Sequence, residues 1–147
     1  MIVNKWASIG LCAGLACFAG AAYSSPAVGT AAATTQDGVY TQVQAARGKK
    51  TYVEKCSSCH LTSLAGGVNE SPALKGDEFA THWSGKPLRA LYSRIISTMP
   101  LSDPGTLNEK ETLDVVAFIL QGNGFHPGKA GLQSPSQLNK IQFRAAK

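Results

Sequence analysis

Cys56-Ser57-Ser58-Cys59-His60 gathers three chemically versatile side chains into five residues of a 147-residue chain. Two thiols three positions apart on a helix lie about one turn from each other. Each can add across a vinyl group of a porphyrin, and the adjacent imidazole is then held beneath the iron as an axial ligand. C-x-x-C-H is therefore the attachment signature of a c-type haem. Other readings of a Cys-x-x-Cys pair fare worse. A disulfide would leave the histidine without a purpose. Zinc needs four ligands, and the histidines His60, His82 and His126 are scattered. A thioredoxin-like dithiol wants a βαβ setting, which the chain lacks. The histidine after the second cysteine decides for haem.

The second axial position determines what such a site does. An open one permits gas binding or peroxide chemistry. A filled one leaves only electron exchange. Apart from the initiator, Met99 is the sole methionine, 39 residues beyond His60 and directly before Pro100. Its soft thioether suits iron, and His/Met ligation raises the reduction potential. The competing role is gap-filling in a core, the usual work of methionine. His82 and His126 are the rival ligands. His82 sits between Thr81 and Trp83 in a polar stretch and His126 follows Gly124-Phe125, so both read as surface or structural residues.

Positioning these groups falls to helices. Residues 39–56 have Ala45, Ala46, Tyr52 and Val53 as apolar positions, interrupted by Gly48, which costs about 1 kcal/mol relative to alanine. That glycine either admits a second helix at close range or breaks the first. In Pro87–Thr98 the residues Leu88, Leu91, Tyr92, Ile95 and Ile96 form a single apolar stripe. Pro87 suits a first turn, and Pro100 drives Met99 out of helical geometry. Asn108 and Glu111 spell a capping box ahead of a third helix, whose inner face is Leu113, Val116, Ala117 and Leu120 and which ends at Gly122 and Gly124. No alternating run argues for a sheet, so an all-α domain is expected. Residues 61–86 are then a loop-rich connection, too long for a small domain unless it wraps something. A cofactor filling the missing core answers that.

Residues 1–24 have the form of a secretory signal: Lys5, the apolar stretch Trp6–Ala22, and the small-x-small sites Ala19-Gly20-Ala21 and Ala22-Tyr23-Ser24. An uncleaved anchor would be short of the roughly 20 residues a span needs. Lipid attachment at Cys17 would place Gly14 where leucine is usual. Cleavage removes Cys12 and Cys17, leaving Cys56 and Cys59 in an exported, periplasmic chain. Residues 25–38 read as a flexible segment outside the core. The net charge is +5, yet Lys5 leaves with the leader and residues 25–125 hold nine basic and nine acidic residues. The excess is Lys129, Lys140, Arg144 and Lys147, a basic extension over 126–147. A neutral body with a basic tail is no nucleic-acid footprint. The tail has two readings: a wrap anchored by Leu138, Ile141 and Phe143, or a docking element for an acidic redox partner.

The C-S-S-C-H motif, Ser71-Pro72-Ala73-Leu74-Lys75-Gly76, Met99-Pro100 and the helix Leu113–Leu120 together resemble the monohaem class I cytochromes c, of the small bacterial exported type, over residues 40–125. The resemblance implies an all-α fold of three to five helices around one haem c, covalently held by Cys56 and Cys59. It also implies crossing first and last helices, with Gly48 and Tyr52 facing Phe118. Pro72 matches the proline whose carbonyl accepts a hydrogen bond from the proximal histidine. Leu74 matches a haem-packing residue, and Phe79 and Trp83 an aromatic pair near the propionates. The tail Gln121-Gly122-Asn123-Gly124-Phe125 looks like cytochromes associated with quinoprotein dehydrogenases, although Gly122 stands where alanine is usual. Such a protein is a periplasmic one-electron carrier between a dehydrogenase and an oxidase or second cytochrome, with no membrane contact unless the leader persists or Cys17 is lipidated. The alternatives are a haem enzyme or gas sensor with an open sixth site, or a cytochrome subunit held by a dehydrogenase.

Overall fold

A computed structural model describes residues 33–146. The signal segment, its cleavage sites, Cys12 and Cys17 lie outside the described residues. Among the described residues no helix is long and apolar enough to cross a membrane.

Six α-helices carry the fold: α1 (Gln42–Lys55), α2 (Ser57–His60), α3 (Asp77–Trp83), α4 (Leu88–Thr98), α5 (Glu109–Gly122) and α6 (Pro135–Leu138). The capping box is present in full. Asn108 Oδ1 accepts from the Glu111 amide and Glu111 Oε2 accepts from the Asn108 amide, both at 2.9 Å. α1 begins three residues later than composition suggests, because Thr41 caps it through its hydroxyl. Its apolar face also differs from expectation. Ala46 and Val53 are exposed, whereas the polar Gln44 is buried and bonds both the Leu132 amide and carbonyl at 2.9 Å.

Helices α1 and α5 cross at Gly48. A Cβ there would fall within the carbonyl group of Asp114 and 2.9 Å from Val115 N. The glycine therefore admits a second helix; it does not break the first. One turn on, Tyr52 and Phe118 meet with ring centroids 5.0 Å apart. Beside the crossing, buried Asp114 takes a bidentate pair from Arg47 at 2.8 Å and a third contact from Lys110 at 3.0 Å. Burial alone would raise the Asp114 carboxyl. The hydrogen bonds and charges of Arg47 and Lys110 outweigh it and hold the group below the usual carboxylate range.

One expectation fails near the start of the described residues. The described part of the segment read as flexible is instead part of the body. Ala33–Thr34 (β1) pairs in parallel with Ile141–Gln142 (β2), and Thr35 is fully buried, exchanging hydrogen bonds with the Arg144 backbone at 2.8 and 3.0 Å. The tail is anchored by the residues expected of a wrap: Leu138, Ile141 and Phe143, with Leu132, are all at most 4% exposed. Phe143 stacks edge-on against Phe79 and Phe125, at 5.8 and 5.5 Å. Its backbone bonds to Gly85 and Lys86. Within 61–86, expected as loop, the chain forms α3 as well as a 3-10 turn at Val68–Glu70.

Candidate functional site

The C-S-S-C-H motif is one helical turn. The amides of Cys59 and His60 both donate to the Cys56 carbonyl, at 3.2 and 3.0 Å, and the Cys56 amide donates back to Tyr52 at 2.9 Å. The motif thus continues from α1, whose direction is set by the Gly48 crossing. Leu61 ends the turn in a left-handed conformation, φ 59°, and its carbonyl is tied to Tyr52 by a phenol hydrogen bond of 2.7 Å. Tyr52 therefore secures both the start and the end of the motif.

His60 is 92% buried, and its Nδ1 lies 2.9 Å from the Pro72 carbonyl oxygen. A carbonyl only accepts, so Nδ1 carries the proton and Nε2 keeps its lone pair. Among the described residues Nε2 has no hydrogen-bond partner, and no fully buried side-chain nitrogen or oxygen there is left unpaired. It therefore opens onto the cavity that His60 lines. This is the tautomer and orientation of a histidine prepared to bind a metal.

That cavity has a volume of about 980 Å³. Cys56, Cys59, His60, Pro72, Leu74, Phe79, Trp83 and Met99 all line it, so these residues share one space. α2 brings the thiols and imidazole, the loop after it Pro72 and Leu74, α3 the aromatic pair, and the C-terminal end of α4 Met99, extended at φ −122°, ψ 148°. Phe79 and Trp83 stand 6.2 Å apart. Cys56 and Cys59 are free thiols. Burial pushes the Cys56 thiol up to about 11, with Lys55 opposing and Cys59 reinforcing the rise.

Other lining residues read from sequence as ordinary core or surface. Leu91 and Ile95 of α4, and Val115 and Ile119 of α5, face the cavity. Their helical spacing could not reveal this, because a stripe facing a cofactor looks like a stripe facing protein. Arg94 and Lys55 add positive charge to the lining, Glu70 and Glu78 negative. His82 is exposed, as expected, but also lines the cavity and stands edge-on to Trp83 at 4.8 Å. His126 is exposed and lies away from it. No cluster of three or more His, Cys, Asp or Glu suited to a bare metal ion occurs among the described residues. A buried imidazole held by its Nδ1, two thiols one turn apart, a thioether and a largely apolar cavity fit a haem.

Comparison with known proteins agrees. Residues 43–119, just over half of the chain, match the family model described as "Cytochrome C oxidase, cbb3-type, subunit III". A thiosulfate dehydrogenase of Psychrobacter arcticus is 30% identical over 78 residues, covering 49% of this chain and 24% of that protein. The chain thus spans about a quarter of the length of that curated relative. The sulfane dehydrogenase SoxCD of Paracoccus pantotrophus aligns in structure with a TM-score of 0.53 over 76% of this chain and 60% of the solved one, at 21% identity. That likeness shows the fold.

Proposed function

Since the chain belongs to the cytochrome c family, we propose that it is an exported one-electron carrier with a single haem c, bonded through Cys56 and Cys59 and ligated by His60 and Met99. Haem held there supplies a reversible one-electron iron couple. The convergence of His60 and Met99 on one cavity carries this reading. The chain's own residues supply the rest. Pro72 orients His60 and makes it more basic, since its carbonyl accepts the hydrogen bond of the Nδ1–H. Leu74, Phe79, Leu91 and Ile95 exclude water. Met99 leaves the α4 helix in extended geometry, ahead of Pro100, so its thioether is set by the backbone. Held by both His60 and Met99, the haem iron would have no place left for a substrate.

We infer a periplasmic dehydrogenase as donor and a terminal oxidase or another cytochrome as acceptor. The motif Gln121–Phe125 supports a quinoprotein dehydrogenase. A second reading draws on the comparisons: a thiosulfate dehydrogenase and a sulfane dehydrogenase are among the similar proteins, which favours a cytochrome subunit held by an enzyme that oxidises an inorganic sulfur compound. Under either reading residues 1–24 are a signal that is removed.

Absorption spectroscopy of the purified ferric protein tests the ligand pair. The native form is expected to be low-spin, with the weak sulfur-to-iron charge-transfer band, and Met99→Ala to lose that band and bind carbon monoxide rapidly when reduced. A high-spin native spectrum refutes His/Met ligation and favours an open-site enzyme or sensor. Co-purification separates a bound subunit from a diffusing carrier, whose association also slows as salt rises.

A further inference from the structure

The segment that carries Pro72 has little regular structure of its own. Its backbone bonds run to residues 64–68: the Leu74 amide to the Leu64 carbonyl at 2.8 Å, the Gly67 amide to Ser71 at 2.7 Å, and the Ser71 amide to Val68 at 3.0 Å. Residues 64–70 are themselves irregular, with left-handed backbone at Leu64, Gly66, Gly67, Asn69 and Glu70. The first loop is tied to α2, where the Gly66 amide donates to the His60 carbonyl at 3.1 Å, and it packs Leu64 against Gly122; among the described residues the Pro72 segment has no backbone bond of its own to α5.

Asn123 makes that connection. At the C-terminal end of α5, its Nδ2 donates to the Leu74 carbonyl at 2.9 Å and to the Ile119 carbonyl at 2.8 Å. Its Oδ1 accepts from the Gly76 amide at 3.2 Å. The partners fix the orientation of the amide, since two carbonyls need a donor and an N–H needs an acceptor. Asn123 thus grips the segment at two points flanking Lys75, two and four residues beyond Pro72, and ties it to the helix that crosses α1. α1 in turn runs into the C-S-S-C-H turn. His60 approaches the Pro72 carbonyl from one side of this frame, and Asn123 closes the other.

We propose that Asn123 is a positioning residue for the proximal histidine: by clamping residues 74–76 to α5 it holds the Pro72 carbonyl where it accepts the hydrogen bond of His60 Nδ1–H. The proposal rests on the reading of His60 as the haem ligand. Without the clamp the carbonyl wanders, the Nδ1–H is intermittently released to water, and the imidazole loses its fixed rotation.

The test uses the reduced, haem-loaded protein and measures exchange of the His60 Nδ1 proton by nitrogen-15 NMR. Asn123→Ala is expected to accelerate that exchange about tenfold or more, because local opening controls it, while the amides of Val116 and Ala117 keep native rates. Asn123→Asp retains the acceptor for Gly76 and loses the donor to Leu74, so it is expected to fall between native and Asn123→Ala. It also decides the matter if Asn123→Ala does not fold. Exchange within twofold of native in the variants that fold overturns the proposal. So does an equal acceleration of Val116 and Ala117, which would mark general loosening. The ligation reading fails separately: a native ferric protein whose His60 resonances lack hyperfine shifts does not bind iron through His60, whatever Asn123 does.

Discussion

Replacing Gly48 by alanine adds one methyl group at the point where α1 and α5 touch. That methyl would overlap the Asp114 carbonyl and lie 2.9 Å from Val115 N, and both obstacles are backbone. No rotamer change relieves the clash, so the helices must part by roughly 1.5 Å to restore ordinary contact in a close-packed interior. Alanine returns about 1 kcal/mol of helix propensity. Against it stand the Tyr52–Phe118 pair, worth about 1 kcal/mol beyond its burial, and the packing along the crossing, where overpacking costs about 1–3 kcal/mol or more. The net expectation is a loss of about 1–3 kcal/mol. Thermal unfolding followed by circular dichroism reads this as a fall in Tm of roughly 4–15 °C, for a domain of this size. Tyr52 also secures the C-S-S-C-H turn, so the variant should carry less covalent haem after expression. Gly122→Ala is the control. Its methyl would meet Leu64 Cδ1, the far end of a flexible side chain, so it should be far less costly. A Gly48→Ala protein within about 3 °C of native refutes the close-crossing argument.

Asp114→Asn removes the carboxylate that pairs Arg47 and Lys110. Those partners stay partly hydrated, with side chains 45% and 71% exposed, so the loss is about 1–2 kcal/mol at neutral pH. Because the folded carboxyl lies below its usual value, its stabilisation is complete above the unfolded pKa of about 4 and disappears as pH falls through the folded value. Denaturant titrations from pH 6 down to about 2 should therefore show a shallower acid decline in Asp114→Asn than in the native protein; parallel curves contradict the pairing. Phe143→Ala empties a fully enclosed site between Phe79 and Phe125 and should cost about 3–4 kcal/mol in urea unfolding. A cost under about 1 kcal/mol would mean that Phe143 does not anchor the tail.

What the sequence revealed and what it hid divide along local and distant causes. Asn108 and Glu111 announce the start of α5 because a capping box is complete within four residues. The α4 stripe is legible for the same reason: period and neighbours suffice. The cysteine motif is equally local, one turn with its ligand attached. Thr35 is hidden by contrast. It is buried because Arg144, 109 residues away, bonds its hydroxyl, and nothing around it marks that partner. Leu138, Ile141 and Phe143 are legible as anchors of the tail, but their irregular spacing does not say which core residues they meet. Gln44 misleads in the same manner, since its amide is satisfied by Leu132 backbone from the tail. Gly122, where the resembling cytochromes usually have alanine, is explained by Leu64 filling the space of the missing methyl. Within the cavity, Arg94 carried no signal, because an arginine on the polar side of an amphipathic helix reads as solvated.

The parallel pairing of β1 with β2 has a meaning for how the chain comes together in time. Every element that lines the cavity, from α1 through α5, is complete by residue 122. The clasp needs the final residues, and it spans a loop of more than one hundred, which makes its closure entropically the most demanding contact in the body. A chain synthesised from its N-terminus can therefore assemble the walls of its cofactor cavity before it can lock them. The lock acts on Phe79 through Phe143, and on the loop entering α4 through Gly85 and Lys86. Assembly thus has an open stage, in which the cavity walls exist but are not yet fastened, followed by a fastened one reached only once residues 141–144 are present.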